Sequence, residues 1–343
     1  MNRFTWARAR TLSEAAASAS TIVADAMTAS TDSTRAGGTS IVKAGGIDVL
    51  DLLKENLLAP GRVVSLQGIP ELDSIREEKD GLHIGPLVTL ATLAAHPLIR
   101  QRYRALADAV ARSASPQIRN IATLGGNLLQ RPRCWYFRAG EHHCLRKGGD
   151  HCFAMMGENQ CHAIFDNTPC AIVHPSTAAT ALVALGATVE LTHADGAVRR
   201  PRLEDFFGPP DRDVHRENDL KPQEILTAVR LPPLSPSVRM AHLKQGEKGS
   251  FDWPLADVAV VLDLSASGNC TSAAVILGAA APVPHRAHAA EAVLIGKRID
   301  DGTARQAALA ALEGATPLGN NAYKLPLFET LVRRAVLAAM ARQ

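Results

Sequence analysis

Five of the six cysteines, Cys134, Cys144, Cys152, Cys161 and Cys170, fall within residues 134–170. Cys270 stands apart in a strand-like stretch and reads as a small buried hydrophobe. The opening Met1–Trp6 lacks the apolar run of a secretory signal, which predicts a cytoplasmic chain unless a partner carries it to the periplasm. In such a compartment, clustered thiols favour a metal site over a disulfide framework. Nine, seven, eight and eight residues separate the successive cysteines, and no C-x-x-C pair occurs. Zinc-ribbon and bacterial ferredoxin spacings are therefore absent. Thiolates reaching in from loops can still hold a four-iron cubane, which needs four of them and leaves one spare. Zinc stays open, since His142, His143, His151 and His162 share the stretch and can replace sulfurs.

Two glycine pairs offer a second chemistry. Gly45-Gly46 lies between a β-branched run, Thr39–Lys43, and apolar residues at helical spacing, Val49, Leu50, Leu53 and Leu57. That is a strand, a tight turn and a helix. Without side chains, backbone amides there can approach a diphosphate, and the helix N-terminus favours its charge. Gly125-Gly126, within Gln117–Asn127, would supply a second set of amides. Neither pair fits G-x-G-x-x-G or the P-loop pattern, and on the glycine pairs alone the ordinary-turn reading is the stronger. No G-x-S-x-G or H-E-x-x-H run supplies a nucleophile or a zinc helix. The cations at 131, 133, 138, 146 and 147, partly balanced by Glu141, Asp150 and Glu158, read as a solvated or partner-facing surface.

The elements that must position these groups are mixed. Short strands are expected at Val63–Leu66 and Leu82–Ile84, and a single helix along Ile99, Tyr103, Leu106 and Val110. Residues 131–170 lack periodicity and read as an insertion held by ligands rather than by a hydrophobic core. Pattern returns at Ala181–Leu185 and Thr188–Leu191. Pro201–Pro236 reads as loops joining two domains, followed by strands at Asp257–Ser265 and Thr271–Leu277 and helices near 303–314 and 325–341. At 343 residues the chain suits two or three domains. A formal charge of +3 argues against nucleic acid as the main partner. No apolar run reaches the length of a membrane span.

Taken in order, Ala44-Gly45-Gly46-Ile47-Asp48, the Thr-Leu-Gly-Gly-Asn core of Gln117–Asn127, and His174-Pro175-Ser176 resemble the FAD-binding subunit of molybdenum hydroxylases, the xanthine dehydrogenase and aldehyde oxidoreductase family. Lys244, Phe251–Leu255 and Ala281–Pro284 are similar to that family's C-terminal domain. The resemblance implies an α+β fold: a two-lobed FAD-binding domain over 1–230, with the insertion at 131–170, and a C-terminal α/β domain over 235–343. It implies FAD contacts at Val42, Lys43, Ala44, Gly45, Gly46, Ile47, Asp48, Ser113, Thr123, Leu124, Gly125, Gly126, Asn127, Ser176, Ile225 and Lys244. By the same resemblance Asp48 and Asn127 fix the loop or the ribityl chain, and Lys244 lies near the isoalloxazine. A cation there favours reduced, anionic flavin. Where the family commonly has an aspartate after Pro-Ser, this chain has Thr177, which loses a carboxylate's strength.

Most of the family lacks the cysteine-rich insertion. Subunits of the periplasmic aldehyde oxidoreductase and 4-hydroxybenzoyl-CoA reductase type have it, and there it holds a four-iron four-sulfur cluster. That likeness selects Cys134, Cys144, Cys152 and Cys170 as ligands and leaves Cys161 as the spare. The implied role is electron transfer. A molybdopterin-binding large subunit and a two-iron small subunit are the partners, FAD and the cluster are the cofactors, and an external acceptor takes the electrons. No residue of this chain is then expected to touch the organic substrate. Two other readings compete: a zinc-stabilised interaction module without redox activity, and a stand-alone NAD(P)H flavin reductase.

Overall fold

In the computed structural model, which describes residues 1–30, 38–249 and 251–341, the chain builds three sheets. The first contains β1 (Thr5–Arg8), β2 (Ser40–Lys43) and β3 (Arg62–Ser65), parallel, in the order β1-β3-β2. The expected strand–glycine–helix unit is β2 followed by the helix Ile47–Lys54. Leu52 and Leu53 of that helix pack with Ile41 and Val63 in one apolar cluster. Asp48 in its first turn and Lys54 in its last complement the helix dipole. β1 has no counterpart among the expected elements, because its largely exposed edge carries no apolar alternation.

The second sheet holds β4 (Ile75–Glu78), β5 (Gly81–Ile84), β6 (Thr188–His193), β7 (Val198–Arg199) and β8 (Glu224–Leu231). They are antiparallel, in the order β4-β5-β8-β6-β7. The central strand β8 corrects the expectation that Pro201–Pro236 is all loop. Prolines dominate that segment but leave residues 223–231 free. Its pattern is also scrambled: Glu190 pairs with Ala228 and Leu191 with Leu226, so Thr227 is bulged out. Ile225 and Leu226, on opposite faces of the strand, are both buried, in different apolar clusters. The expected single helix around Tyr103 is a second correction. It is two, Pro97–Arg102 and Arg104–Ala111, because Tyr103 leaves helical geometry and its buried hydroxyl donates to Pro232 O at 2.9 Å.

The third sheet is an antiparallel run of β9 (Val238–Gln245), β10 (Ala256–Leu264), β11 (Cys270–Gly278) and β12 (His285–Arg286), ordered β12-β11-β10-β9. Helices His288–Leu294, Asp301–Ala310 and Lys324–Ala341 share its apolar core. The helix Thr177–Ala184, buried along its whole length, packs on β10, β11 and the helix Arg104–Ala111. It thereby ties the two halves of the chain together.

The cysteine-rich segment folds in single turns, but it is less isolated than expected. Phe137 and Cys144 join the cluster around the helix Ile47–Lys54, and Ile164 and Phe165 join the C-terminal core. The C-terminal part also grips its backbone. Asn321 Nδ2 donates to His162 O and Ala163 O, and buried Lys324 Nζ donates to His162 O at 3.0 Å and Ala279 O at 2.7 Å. Among the described residues no helix is long and apolar enough to cross a membrane.

His174, at the junction, is buried and pushed down to about 3 by that burial. Its Nδ1 accepts from Ser176 N, so the proton sits on Nε2. The unfolded chain therefore binds a proton below its ordinary value of 6.5 that the folded chain refuses. Stability is expected to fall as pH drops from 6.5 toward 3, by about 1.4 kcal/mol per unit from this residue. Urea unfolding at pH 6.5 and 4.5 should show a shallower loss in His174→Asn, whose amide oxygen can still accept from Ser176. Equal slopes would remove His174 from the account.

Candidate functional site: a flavin-sized cavity beside a thiol cluster

A cavity of about 530 Å3 opens between the first two sheets and β9. Its wall includes every flavin-contact residue implied by sequence except Lys43, Leu124 and Ser176. Those three sit behind the wall. Leu124 is core, and Lys43 lies beneath the first glycine turn with Nζ donating to Ala44 O. Ser176 donates through Oγ to Asn127 Oδ1 at 2.6 Å, so it positions Asn127.

The two glycine turns do different things. Gly46 has φ of +88°, a left-handed conformation that side chains resist. A Cβ on Gly45 would lie 2.2 Å from Ile121 O, so the two loops can approach only because it has none. Among the described residues, the amides of Gly45, Gly46 and Ile47 have no backbone partner and start the helix Ile47–Lys54. These can receive a phosphate oxygen. The second turn departs from its expected role. Gly125 N donates to Pro86 O, Gly126 N to Thr123 Oγ1, and Asn127 N to Thr123 O. Its amides are already engaged, and the turn contributes shape.

Asp48 is the hub of the cavity floor. Its carboxylate accepts from Arg131 N at 2.8 Å and Arg138 NH2 at 2.7 Å, and pairs with Arg133 NH2 at 2.8 Å. It fixes the loop, which is one of the two roles the resemblance offered it. Asp48→Ala leaves these donors without their acceptor. A loss on the order of 3 kcal/mol in urea unfolding is expected, with reduced flavin per chain. Wild-type stability would show that the cations resolvate freely.

At the opposite wall, Lys244 Nζ donates to Arg112 O at 2.9 Å and Asp252 O at 2.7 Å, and burial pulls its pKa down. Thr177, in the aspartate's place, is buried and hydrogen-bonded to Ser113 Oγ, and both line the cavity. Arg133 lies 4.9 Å from the centre of the Trp253 ring at the rim.

Next to this cavity a small void of about 10 Å3 is lined by Cys134, Cys144, Cys152 and Cys170, with His162 and Arg146. Cys161 is elsewhere, exposed and facing Lys324 and Glu247. Cys134, Cys144 and Cys152 each precede a single helical turn. Backbone amides of Tyr136 and Phe137 lie near the Cys134 sulfur, those of Arg146 and Lys147 near Cys144, and those of Ala154 and Ala171 near Cys152, and they favour a thiolate at each. His162 Nε2 is 3.2 Å from Cys134 Sγ. Burial pushes the Cys134 thiol up to about 12, so a thiolate there requires a cation. Cys170 goes the other way, because the Cys152 thiol and the Arg146 guanidinium lie beside it and favour its thiolate.

Tetrahedral zinc would gather its sulfurs about 3.8 Å apart. Among the described residues, no three of these thiols and His162 lie within 4.8 Å of one another; that spacing occurs only in Glu78, Asp80 and His83 on the β4–β5 hairpin. There Arg76 and Arg230 already pair with the carboxylates.

The cations of this segment correct the expectation of a solvated surface. Arg131 and Arg146 are buried and share Glu217: Arg146 NH1 donates to Oε1 at 2.5 Å, and Arg131 Nε lies 3.3 Å from Oε2. Glu217 is 71 residues from Arg146, inside the segment read as loops, so no local pattern announces it.

Comparison with known proteins shows what the whole chain is similar to. Residues 2–234 match the model of the FAD binding domain in molybdopterin dehydrogenase, and residues 241–339 match that of the CO dehydrogenase flavoprotein C-terminal domain. The aldehyde oxidoreductase FAD-binding subunit PaoB of Escherichia coli (strain K12) is 34% identical over 346 residues, covering 100% of both chains. The carbon monoxide dehydrogenase medium chain of Hydrogenophaga pseudoflava is 27% identical, covering 89% of this chain and 91% of that one. A solved carbon monoxide dehydrogenase from the same organism, lacking the Mo-pyranopterin moiety, superposes with a TM-score of 0.74. It is 24% identical, over 99% of this chain and 98% of that one, and shows the shared fold.

Proposed function

This chain belongs to the family of FAD-binding subunits of molybdenum hydroxylases, and we propose that it is the electron-transfer subunit of a heteromeric enzyme of that kind. Its partners are a molybdopterin-binding large subunit and a two-iron small subunit, and an external acceptor receives the electrons. The domains run over 1–230 and 235–343, with the insertion at 131–170. FAD occupies the large cavity. A four-iron four-sulfur cluster occupies the thiol void, held by Cys134, Cys144, Cys152 and Cys170.

The observation that carries the reading is the adjacency of the two sites. One cavity wall has unpartnered amides at a helix N-terminus, and four thiols, two of them buried and two half-buried, lie beyond Arg131 and Glu217 on its floor. The residues fit both groups. Gly45, Gly46 and Ile47 present N–H groups to a diphosphate. Ser113, Thr177 and Lys244 bound the opposite wall, where a cation favours an anionic reduced ring. The thiols are too widely spaced for one zinc ion, while amides already point at their sulfurs. When bound, flavin exchanges one or two electrons and the cluster one, which lets the pair join donors and acceptors of different stoichiometry.

The test is a visible spectrum with metal analysis of the anaerobically purified complex. Flavin bands on a broad iron–sulfur background are expected, with four iron and four labile sulfide per chain attributable to this subunit. Zinc in place of iron would return the thiols to a structural role, and absence of flavin would sink the whole reading.

A further inference from the structure

We propose that Arg146 sets the reduction potential of the cluster, with Glu217 as its opposing charge. The inference rests on the cluster reading above. Arg146 is buried, and only its NH1 is well satisfied, by Glu217 Oε1. Its Nε and NH2 meet no oxygen or nitrogen acceptor among the described residues, and the neighbour left to them is the Cys170 sulfur. The guanidinium lines the thiol void and lies beside Cys170. A buried cation held through only one of its nitrogens by a carboxylate is costly unless a further anion meets it. Glu217 cannot neutralise it fully, because the same carboxylate also faces Arg131. Two guanidiniums and one carboxylate leave one positive charge beside Cys170, while Lys147 supplies a separate one nearer Cys144.

That charge has a direct consequence. One electron entering a thiolate-held cluster adds one negative charge, and no bond at Arg146 forms or breaks. A fixed cation next to Cys170 stabilises the reduced state more than the oxidised one. Low dielectric makes the difference large. Removing the cation must therefore lower the potential, and removing the Glu217 charge must raise it. Opposite signs from two touching residues distinguish charge from packing. Arg131 and Glu217 also line the flavin cavity, so the triad stands between the two redox sites.

The experiment is an EPR-monitored redox titration of the intact complex, made with wild type, Arg146→Gln, Arg146→Lys and Glu217→Gln, after iron analysis of each. Arg146→Gln is expected to shift the reduction equilibrium at least tenfold toward the oxidised cluster, a fall of about 59 mV or more. Arg146→Lys, which keeps the charge, should shift it by less than half as much on the potential scale. Glu217→Gln should move it upward. Coincident titrations of wild type and Arg146→Gln would overturn the proposal, as would a lysine variant as low as the glutamine one. If Arg146→Gln retains no iron, Glu217→Gln decides: a rise supports the proposal, and no rise or a fall defeats it. Iron missing from wild type defeats the cluster reading itself, before any variant is compared.

Discussion

Gly46→Asp is expected to purify folded but without flavin. Three effects act at once. The backbone at Gly46 has φ of +88°, a conformation costing a side-chain-bearing residue about 1–2 kcal/mol. Its Cβ would lie 2.2 Å from Lys43 Cε, so the lysine stem must move and with it the support beneath the turn. The new carboxylate would sit at the start of the helix Ile47–Lys54, whose amides are proposed to receive a phosphate. It can take those amides itself, and its charge repels the diphosphate. About 3 kcal/mol lost at this point is a roughly hundredfold weaker site. Flavin per chain, measured on the supernatant after denaturation, should fall below a tenth of the wild-type value. Gly46→Ala separates the contributions: it carries the strain and the lysine contact without the charge, and should retain an intermediate fraction. Full flavin occupancy in the aspartate variant would move the diphosphate away from this turn.

What could be read from the chain alone follows from how far apart cooperating residues lie. The first glycine turn was legible because strand, turn and helix are contiguous, and the helix stripe from Val49 to Leu57 announces itself. β10, β11 and the last helix were legible for the same reason. β8 was not, since its bulge at Thr227 breaks the alternation on which strand reading depends. The helix break at Tyr103 depends on a hydrogen bond to Pro232, 129 residues away. The second glycine pair was found, but which amides remain free depends on Pro86 and Thr123. Charge was the hardest property to place. Arg131 and Arg146 look like surface cations until Glu217 is folded against them. Composition records how many charges there are and says nothing of which are buried.

If the thiols hold the proposed cluster, Cys152→Ser should lose it while Cys161→Ser keeps it. The sulfurs are chemically alike, so the difference must come from position. Cys152 lines the thiol void beside Cys170, with the Ala154 and Ala171 amides near its sulfur. A serine there replaces a soft thiolate by a hydroxyl whose proton is far harder to remove, and iron bound by thiolates tolerates the exchange poorly. Near-complete loss of iron from this subunit is expected, with the broad visible absorbance that iron carries. Cys161 is exposed and faces Lys324 and Glu247, away from the void, so its hydroxyl analogue should change iron content by less than a tenth. Flavin provides the internal control. Its cavity is walled by the glycine turns and β9, and neither cysteine lines it. Flavin bands should therefore survive in both variants, and the Cys152→Ser spectrum should become that of a simple flavoprotein. Loss of flavin together with iron would mean that the insertion supports the cavity floor through Arg131, Arg133 and Arg138 on Asp48. Iron lost from Cys161→Ser and retained in Cys152→Ser would reverse the ligand set, and would require the exposed turn at Cys161 to fold inward past Lys324.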